Sequence, residues 1–393
     1  MSHFEALKKR DDANVMHTYG RFPVAIEQGQ NASCRDFDGK AYIDFTAGIG
    51  VNSLGFCDED WKNAIIAQLN KLQHISNLYY TKPCIDVAEK LMALSGMEKV
   101  FFGNSGAEAN EGAIKAARKY SLLKYGEGRS TIVSLENSFH GRTVTTLSAT
   151  GQAVFHKDFF PFTEGFVFAK ANDTQDTLQK LGESGVCAVM MELVQGEGGV
   201  LPLEQAYVDA VVAYCHEHDI LVIIDEVQTG VGRTGSFLCY QQFGFLPDLV
   251  SMAKGLGGGL PLGAILFGKK TENALQQGDH GSTYGGNPIA CAGATAVLKK
   301  MDDKLMADVR EKGEYIRKQL LQMPHVIGVS GKGLMIGATL EGVTSKEVVG
   351  KGNELGVLTL TAKEKLRLLP PLTITYEEID VGLALLRQAL ESL

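Results

Sequence analysis

The chain has 393 residues, 45% of them hydrophobic and 21% charged, which is ordinary for a globular protein of one large or two smaller domains. Its 38 basic and 46 acidic residues leave a net charge of −8, which argues against binding nucleic acid or acidic membranes through positive potential. No apolar run is long enough to span a bilayer, and the start has no signal-peptide core.

The seven cysteines are scattered without a C-x-x-C pair, so reduced thiols in a cytoplasmic protein are expected. Residues 23–37 read as a small hairpin, with a further tight turn at Asp38 and Gly39. The segments 61–72 and 85–94 carry apolar residues at helical spacing. From 99 to 268 short apolar runs, at 100–102, 131–134, 165–169, 186–191, 220–224, 249–253 and 264–267, alternate with helical patterns. Such alternation implies an open, mostly parallel sheet covered by helices. Helices are expected at 287–301 and 306–323, a hairpin over 326–340 turning at 331–333, and a final amphipathic helix over 376–393.

Two runs end in charge: 220–224 leads into Asp225 and 249–253 into Lys254. Ligands of parallel sheets sit outside the carboxyl ends of the strands, so both side chains are expected in a site. A carboxylate and an amine there suit pyridoxal phosphate, whose aldehyde bonds to the amine and whose ring nitrogen pairs with the acid. Val227 shares a strand face with Asp225 and would lie against the ring. The alternative is a buried ion pair closing the sheet.

Ser105, Gly106 and Ala107 follow a strand and open a helix. Ser105 and Glu108 fit a capping box, and the free N–H groups of the same turn fit a phosphate. Past the run at 131–134, Phe139 is placed to stack on one ring face, and Arg142 to hold a carboxylate with two parallel bonds. Glu192 and Glu197 follow the run at 186–191, Arg367 precedes Pro370 and Pro371, and Ser282 and Thr283 offer hydroxyls on a glycine-rich loop. The spacing from Gly263 to Lys269 imitates a phosphate-binding loop, but Lys270 stands where a hydroxyl is needed. His216 and His218, two apart on a helix end, do not converge on a metal, and no metal site is expected.

Together these pieces resemble the class III (ω-amino-acid) pyridoxal phosphate aminotransferases of fold type I. The likeness runs in order from Tyr19 and Arg21 to Arg367 and Pro371. Its core is Ile224-Asp225-Glu226-Val227-Gln228-Thr229-Gly230-Val231-Gly232-Arg233-Thr234-Gly235, followed by Ser251-Met252-Ala253-Lys254-Gly255. The resemblance implies a large α/β domain over 51–286 with a mostly parallel sheet covered by helices, and a smaller α+β domain. The latter comprises 287–393, with 1–50 supplying an arm and small-domain strands. It implies that Lys254 carries the Schiff base, Asp225 pairs with the ring nitrogen and Gln228 donates to the ring oxygen. Phe139 stacks on the ring, and Ser105, Gly106 and Ala107 bind phosphate. Thr283 would reach the phosphate of the neighbouring subunit in a homodimer. Tyr19, Arg142, Glu197, Ser282 and Arg367 are the expected substrate contacts, Glu197 masking Arg367 in one half-reaction.

Within the class, Phe139-His140-Gly141-Arg142-Thr143 and the stretches 47–55 and 74–79 resemble the N-acetylornithine subgroup, although Phe56 departs from its usual histidine. That subgroup implies amino transfer from N-acetylornithine to 2-oxoglutarate in arginine biosynthesis. Succinylornithine, ornithine or 4-aminobutyrate as donor, or an aminomutase of the glutamate-semialdehyde type, are the alternatives.

Overall fold

The computed structural model describes residues 2–393. After an exposed helix, His3–Asn14, the strands β1 (Ile26–Gln30), β2 (Ser33–Asp36) and β3 (Ala41–Asp44) form an antiparallel meander. Next come β4 (Lys99–Gly103), β5 (Thr131–Leu135), β6 (Phe166–Ala169) and β7 (Val186–Met191). A two-stranded ladder, β8 (Val194–Gln195) and β9 (Leu201–Pro202), precedes β10 (Leu221–Asp225), β11 (Leu249–Met252) and β12 (Gly263–Phe267).

Each of the expected apolar runs between 99 and 268 is therefore a strand. They make one seven-stranded sheet in the order β4-β12-β11-β10-β7-β5-β6. Its pairs are parallel except at β12, which runs antiparallel to both β11 and β4.

Strand β10 shows why the sheet lies at the centre. Leu221 and Ile223 join a cluster with Ala113 and Ala117 of the helix Gly106–Tyr125. Val222 and Ile224 join the opposite cluster, with Val208 and Val211 of the helix Gln205–Glu217. Successive side chains thus feed both faces, as the two-residue repeat of a strand requires. Each fully buried aliphatic side chain contributes roughly 1.5–3 kcal/mol. Gly112 permits the close seat of its helix, since a Cβ there would lie 2.1 Å from Ile265 Cδ1.

The C-terminal region contains β13 (Val326–Lys332), β14 (Met335–Leu340), β15 (Val357–Leu358), β16 (Leu360–Ala362) and β17 (Lys365–Leu368). Four of them form an antiparallel sheet, β13-β14-β17-β16. The hairpin reverses at Gly333 and Leu334, slightly later than expected, because β13 stays paired through Lys332. Strand β15 instead pairs in parallel with β3, Val357 opposite Ile43, and so joins the N-terminal meander. The helix Pro288–Lys299 packs on the helices Glu59–Leu69 and Lys82–Ser95.

Candidate active site

The carboxyl ends of β4, β5, β7, β10 and β11 open on a cavity of about 470 Å³. It is lined by Ser105, Gly106, Ala107, Phe139, Arg142, Glu197, Asp225, Val227, Gln228 and Lys254, all of them expected site residues. Arg367 reaches the same place from β17 by its bond to Glu197. Strand register explains the convergence: Asp225 ends β10 opposite Ser251 of β11, and Lys254 follows two residues after β11 closes.

Lys254 sits at φ +41°, a left-handed conformation that lysine adopts only when its surroundings impose it. Its Nζ has no hydrogen-bond or ion-pair partner among the described residues. Burial lowers its pKa against the opposing pull of the Glu197 and Asp225 carboxylates, which favours the neutral amine.

Asp225 is buried and held at both oxygens. Oδ2 accepts from Asn110 Nδ2 at 2.8 Å and lies 2.8 Å from His140 Nδ1, while Oδ1 accepts from the Val227 N–H at 2.9 Å. A carboxylate cannot donate to the ring, so His140 carries its proton on Nδ1. Its Nε2 is buried without a partner. Asn110 also donates to the His140 carbonyl at 2.7 Å, tying helix, loop and strand end together.

Glu192 lies beside this cluster, accepting from the N–H groups of Phe139 (3.0 Å) and Gly196 (3.3 Å). Burial pushes its carboxyl up to about 7; the nearby His140 opposes that rise and Asp225 adds to it.

On the other side of the cavity Arg367 donates from Nη1 to Glu197 Oε1 at 2.6 Å and from Nη2 to Oε2 at 3.3 Å. Gln228 touches both partners, with its Nε2 donating to Glu197 and its Oε1 accepting from Arg367, each at 3.4 Å. Burial raises the Glu197 carboxyl, but the charge and hydrogen bond of Arg367 more than offset it and leave it below the usual range. Arg142 makes no ion pair with any described residue.

The turn opening the helix Gly106–Tyr125 satisfies both sequence readings in part. Ser105 Oγ accepts from the Glu108 N–H at 3.2 Å, as a cap should. The Glu108 carboxylate, however, reaches back to the Asn104 N–H, leaving those of Gly106 and Ala107 free at the helix terminus. A Cβ on Gly106 would stand 2.7 Å from Val227 Cγ1, so the missing side chain is what brings this turn against Val227.

Three expected residues lie elsewhere. Ser282 and Thr283 line a separate surface cavity with His74, Asn77 and His280, where Ser282 Oγ accepts from Asn104 Nδ2 at 3.1 Å. Tyr19 is 76% exposed in the N-terminal segment, with the Arg21 guanidinium 5.9 Å from its ring centre. Arg233, inside the signature stretch, is also outside the cavity. It is buried and donates to the Leu334 and Pro370 carbonyls, so that part of the signature clamps the small sheet to the large one.

The residues that sequence reasoning missed are Asn110, His140 as a partner of Asp225, and Glu192 as a carboxyl poised near neutrality. Asn110 had a visible signal, standing one helical turn beyond Gly106 on the same face.

The family model for class-III aminotransferases matches residues 15–390. The chain belongs to that family. It is 53% identical over 390 residues to the acetylornithine aminotransferase of Haemophilus ducreyi, covering 99% of each chain. The crystal structure of N-acetylornithine aminotransferase from Stenotrophomonas maltophilia superposes with a TM-score of 0.85 at 34% identity, covering 98% of both chains. An ornithine aminotransferase from Toxoplasma gondii, reported with partial occupancy of PLP at its active site, superposes with a TM-score of 0.95 at 29% identity over 99% of this chain and 94% of that one.

The residues present fit pyridoxal phosphate. Free N–H groups of Gly106 and Ala107 face where a phosphate would sit, Val227 and Phe139 offer apolar cover, Asp225 has both oxygens held by hydrogen bonds, and the Lys254 amine has no partner among the described residues.

Proposed function

We propose that this class-III aminotransferase transfers the δ-amino group of N-acetylornithine to 2-oxoglutarate, giving N-acetylglutamate 5-semialdehyde and glutamate, a step of arginine biosynthesis. The observation that carries this reading is the contrast between its two arginines: Arg367 is neutralised by Glu197, and Arg142 is free.

A bound pyridoxal phosphate supplies the aldehyde that exchanges with amines and the electron-withdrawing ring that stabilises a carbanion. Lys254 Nζ, whose pKa burial lowers, takes the proton from the substrate carbon that bears the amine. Asp225, fixed by His140, Asn110 and the Val227 N–H, would pair with the ring nitrogen of the bound cofactor. Arg142 binds the carboxylate remote from the reacting carbon, which both substrates possess. With Glu197 on Arg367, the site admits an amine with no adjacent carboxylate. Release of Arg367 then admits the carboxylate next to the keto group of 2-oxoglutarate. Substrate roles for Tyr19 and Ser282, and the phosphate contact of Thr283, belong to a homodimer in which these surface residues meet the partner's cavity. Leu78, 87% exposed and lining the same surface cavity as Thr283, suits such an apolar interface.

A panel of amino donors with 2-oxoglutarate tests the reading: N-acetylornithine should exceed ornithine and 4-aminobutyrate in kcat/KM. Preference for either of those, or turnover without a keto-acid acceptor, would overturn it. Light scattering that returns a monomer at micromolar concentration would overturn the dimer.

A further inference from the structure

Among the described residues Arg142 has no carboxylate, carbonyl or hydroxyl partner, yet its guanidinium is not free to wander. Its central carbon lies 3.8 Å from the ring centre of Phe155 and 5.5 Å from that of Phe139. The two rings meet edge to face, 6.0 Å apart at 80°. A planar cation stacked on an aromatic face is attracted by the ring and keeps its N–H edges pointing outward in the plane.

Phe155 belongs to the short turn Ala153–Phe155, which is fastened to the Arg142 segment on several sides. Its own N–H donates to the Gln152 carbonyl at 3.0 Å, and Gln152 Nε2 donates to the carbonyls of Asn137 (3.3 Å) and Ser138 (3.2 Å). The next residue, His156, bonds through Nε2 to the Leu147 carbonyl at 2.9 Å, and the Thr163 N–H donates to Ser148 Oγ at 3.0 Å. Leu147 and Ser148 lie on the helix Val144–Ala149, which begins two residues after Arg142. Platform and guanidinium thus sit on one hydrogen-bonded unit.

We propose that Phe155 is a positioning residue for the substrate carboxylate: its ring fixes the plane of the Arg142 guanidinium, so that two parallel N–H bonds are presented to the incoming dicarboxylate before it binds. The inference rests on the reading of Arg142 as the carboxylate anchor and adds the element that orders it. An arginine on a flexible stem loses rotamer freedom when it binds; a stacked one has already lost it, so affinity gains.

The test is the affinity of the holoenzyme for glutarate, a dicarboxylate that cannot react, measured in four proteins. Phe155→Leu should weaken glutarate roughly three- to thirtyfold, from the worth of a cation–ring contact at an exposed guanidinium such as Arg142 to that of one the bound dicarboxylate desolvates. It should raise the KM for 2-oxoglutarate in step while kcat stays within about twofold. Phe155→Trp, which keeps the face, should remain within about threefold of the wild type. In an Arg142→Gln background, adding Phe155→Leu should change glutarate affinity by less than about twofold, because no guanidinium remains to be held. Full additivity of the two substitutions, an unchanged affinity in Phe155→Leu, or a loss in Phe155→Trp equal to that in Phe155→Leu would each overturn the proposal. If Arg142→Gln alone leaves glutarate affinity unaltered, the anchor reading itself fails, an outcome separate from failure of the platform.

Discussion

Replacing Glu197 with alanine should split the two half-reactions. Arg367 is 3% exposed and spends two N–H donors on the carboxylate, at 2.6 and 3.3 Å. Among the described residues its Nε is buried without a partner, and Gln228 Oε1 at 3.4 Å is the one other acceptor it bonds. Removing Glu197 therefore strands a buried cation. Breaking a buried pair in this way costs about 3–5 kcal/mol, and the 29% exposure of the Glu197 side chain lets water recover part of it. A substrate carboxylate placed beside the reacting carbon would satisfy Arg367 in its stead. The α-carboxylate of glutamate should gain roughly 1.5–3 kcal/mol of binding, the worth of hydrogen bonds to a charged group. The ω-amine of N-acetylornithine has nothing to offer Arg367, and its half-reaction should slow by about 10- to 100-fold. Stopped-flow absorbance with each amino donor separately measures both rates. Equal slowing, or slowing with glutamate alone, would refute the switch and leave the pair a fixed strut.

Lys254→Ala should abolish turnover while the apo-protein still binds pyridoxal phosphate through the phosphate turn; turnover within tenfold of wild type would remove Lys254 from the chemistry. Asp225→Asn keeps the shape but not the charge, and single-turnover rates should fall at least ~10²-fold, the scale of losing a preorganised electrostatic partner. Arg142→Lys should raise the KM of both substrates, since an ammonium cannot reproduce the planar fork; a rise for one substrate alone would refute a shared anchor. Glu226, buried with bonds from Thr229 Oγ1 and the Tyr240 N–H, is pushed up to about 7 from its ordinary 4.5 by burial. The folded chain then holds a proton that the unfolded chain has released, so stability falls as pH rises through this window and levels off above it, by roughly 3 kcal/mol in all. Glu226→Gln should flatten that part of a stability–pH curve from urea unfolding, and an unchanged slope would refute the assignment.

The large sheet was legible because its strands are buried on both faces and are written as unbroken aliphatic runs. Strand direction was not. Gly263–Phe267 is as apolar as Leu221–Asp225, and nothing in such a run marks β12 as the antiparallel member. Site residues at strand ends, Asp225 and Lys254, announced themselves by placing charge after a buried run. His140 did not, since its meaning lies in a contact with a residue 85 positions away. Thr283 lines a separate surface cavity, and its expected phosphate contact could be read only through the resemblance. Glu197 and Arg367 could be paired only through the resemblance, because 170 residues separate them.

The pairing of β3 with β15 has a consequence for synthesis on the ribosome. Strands emerging among the first residues find their last neighbour only when Val357 and Leu358 have been made. Until then the β3 edge exposes unpaired N–H and C=O groups, a template for mispairing with another nascent chain. The large sheet, complete once Phe267 is made, needs no such delay. A chain truncated before residue 357 should therefore retain a protease-resistant central sheet while its first fifty residues are cleaved.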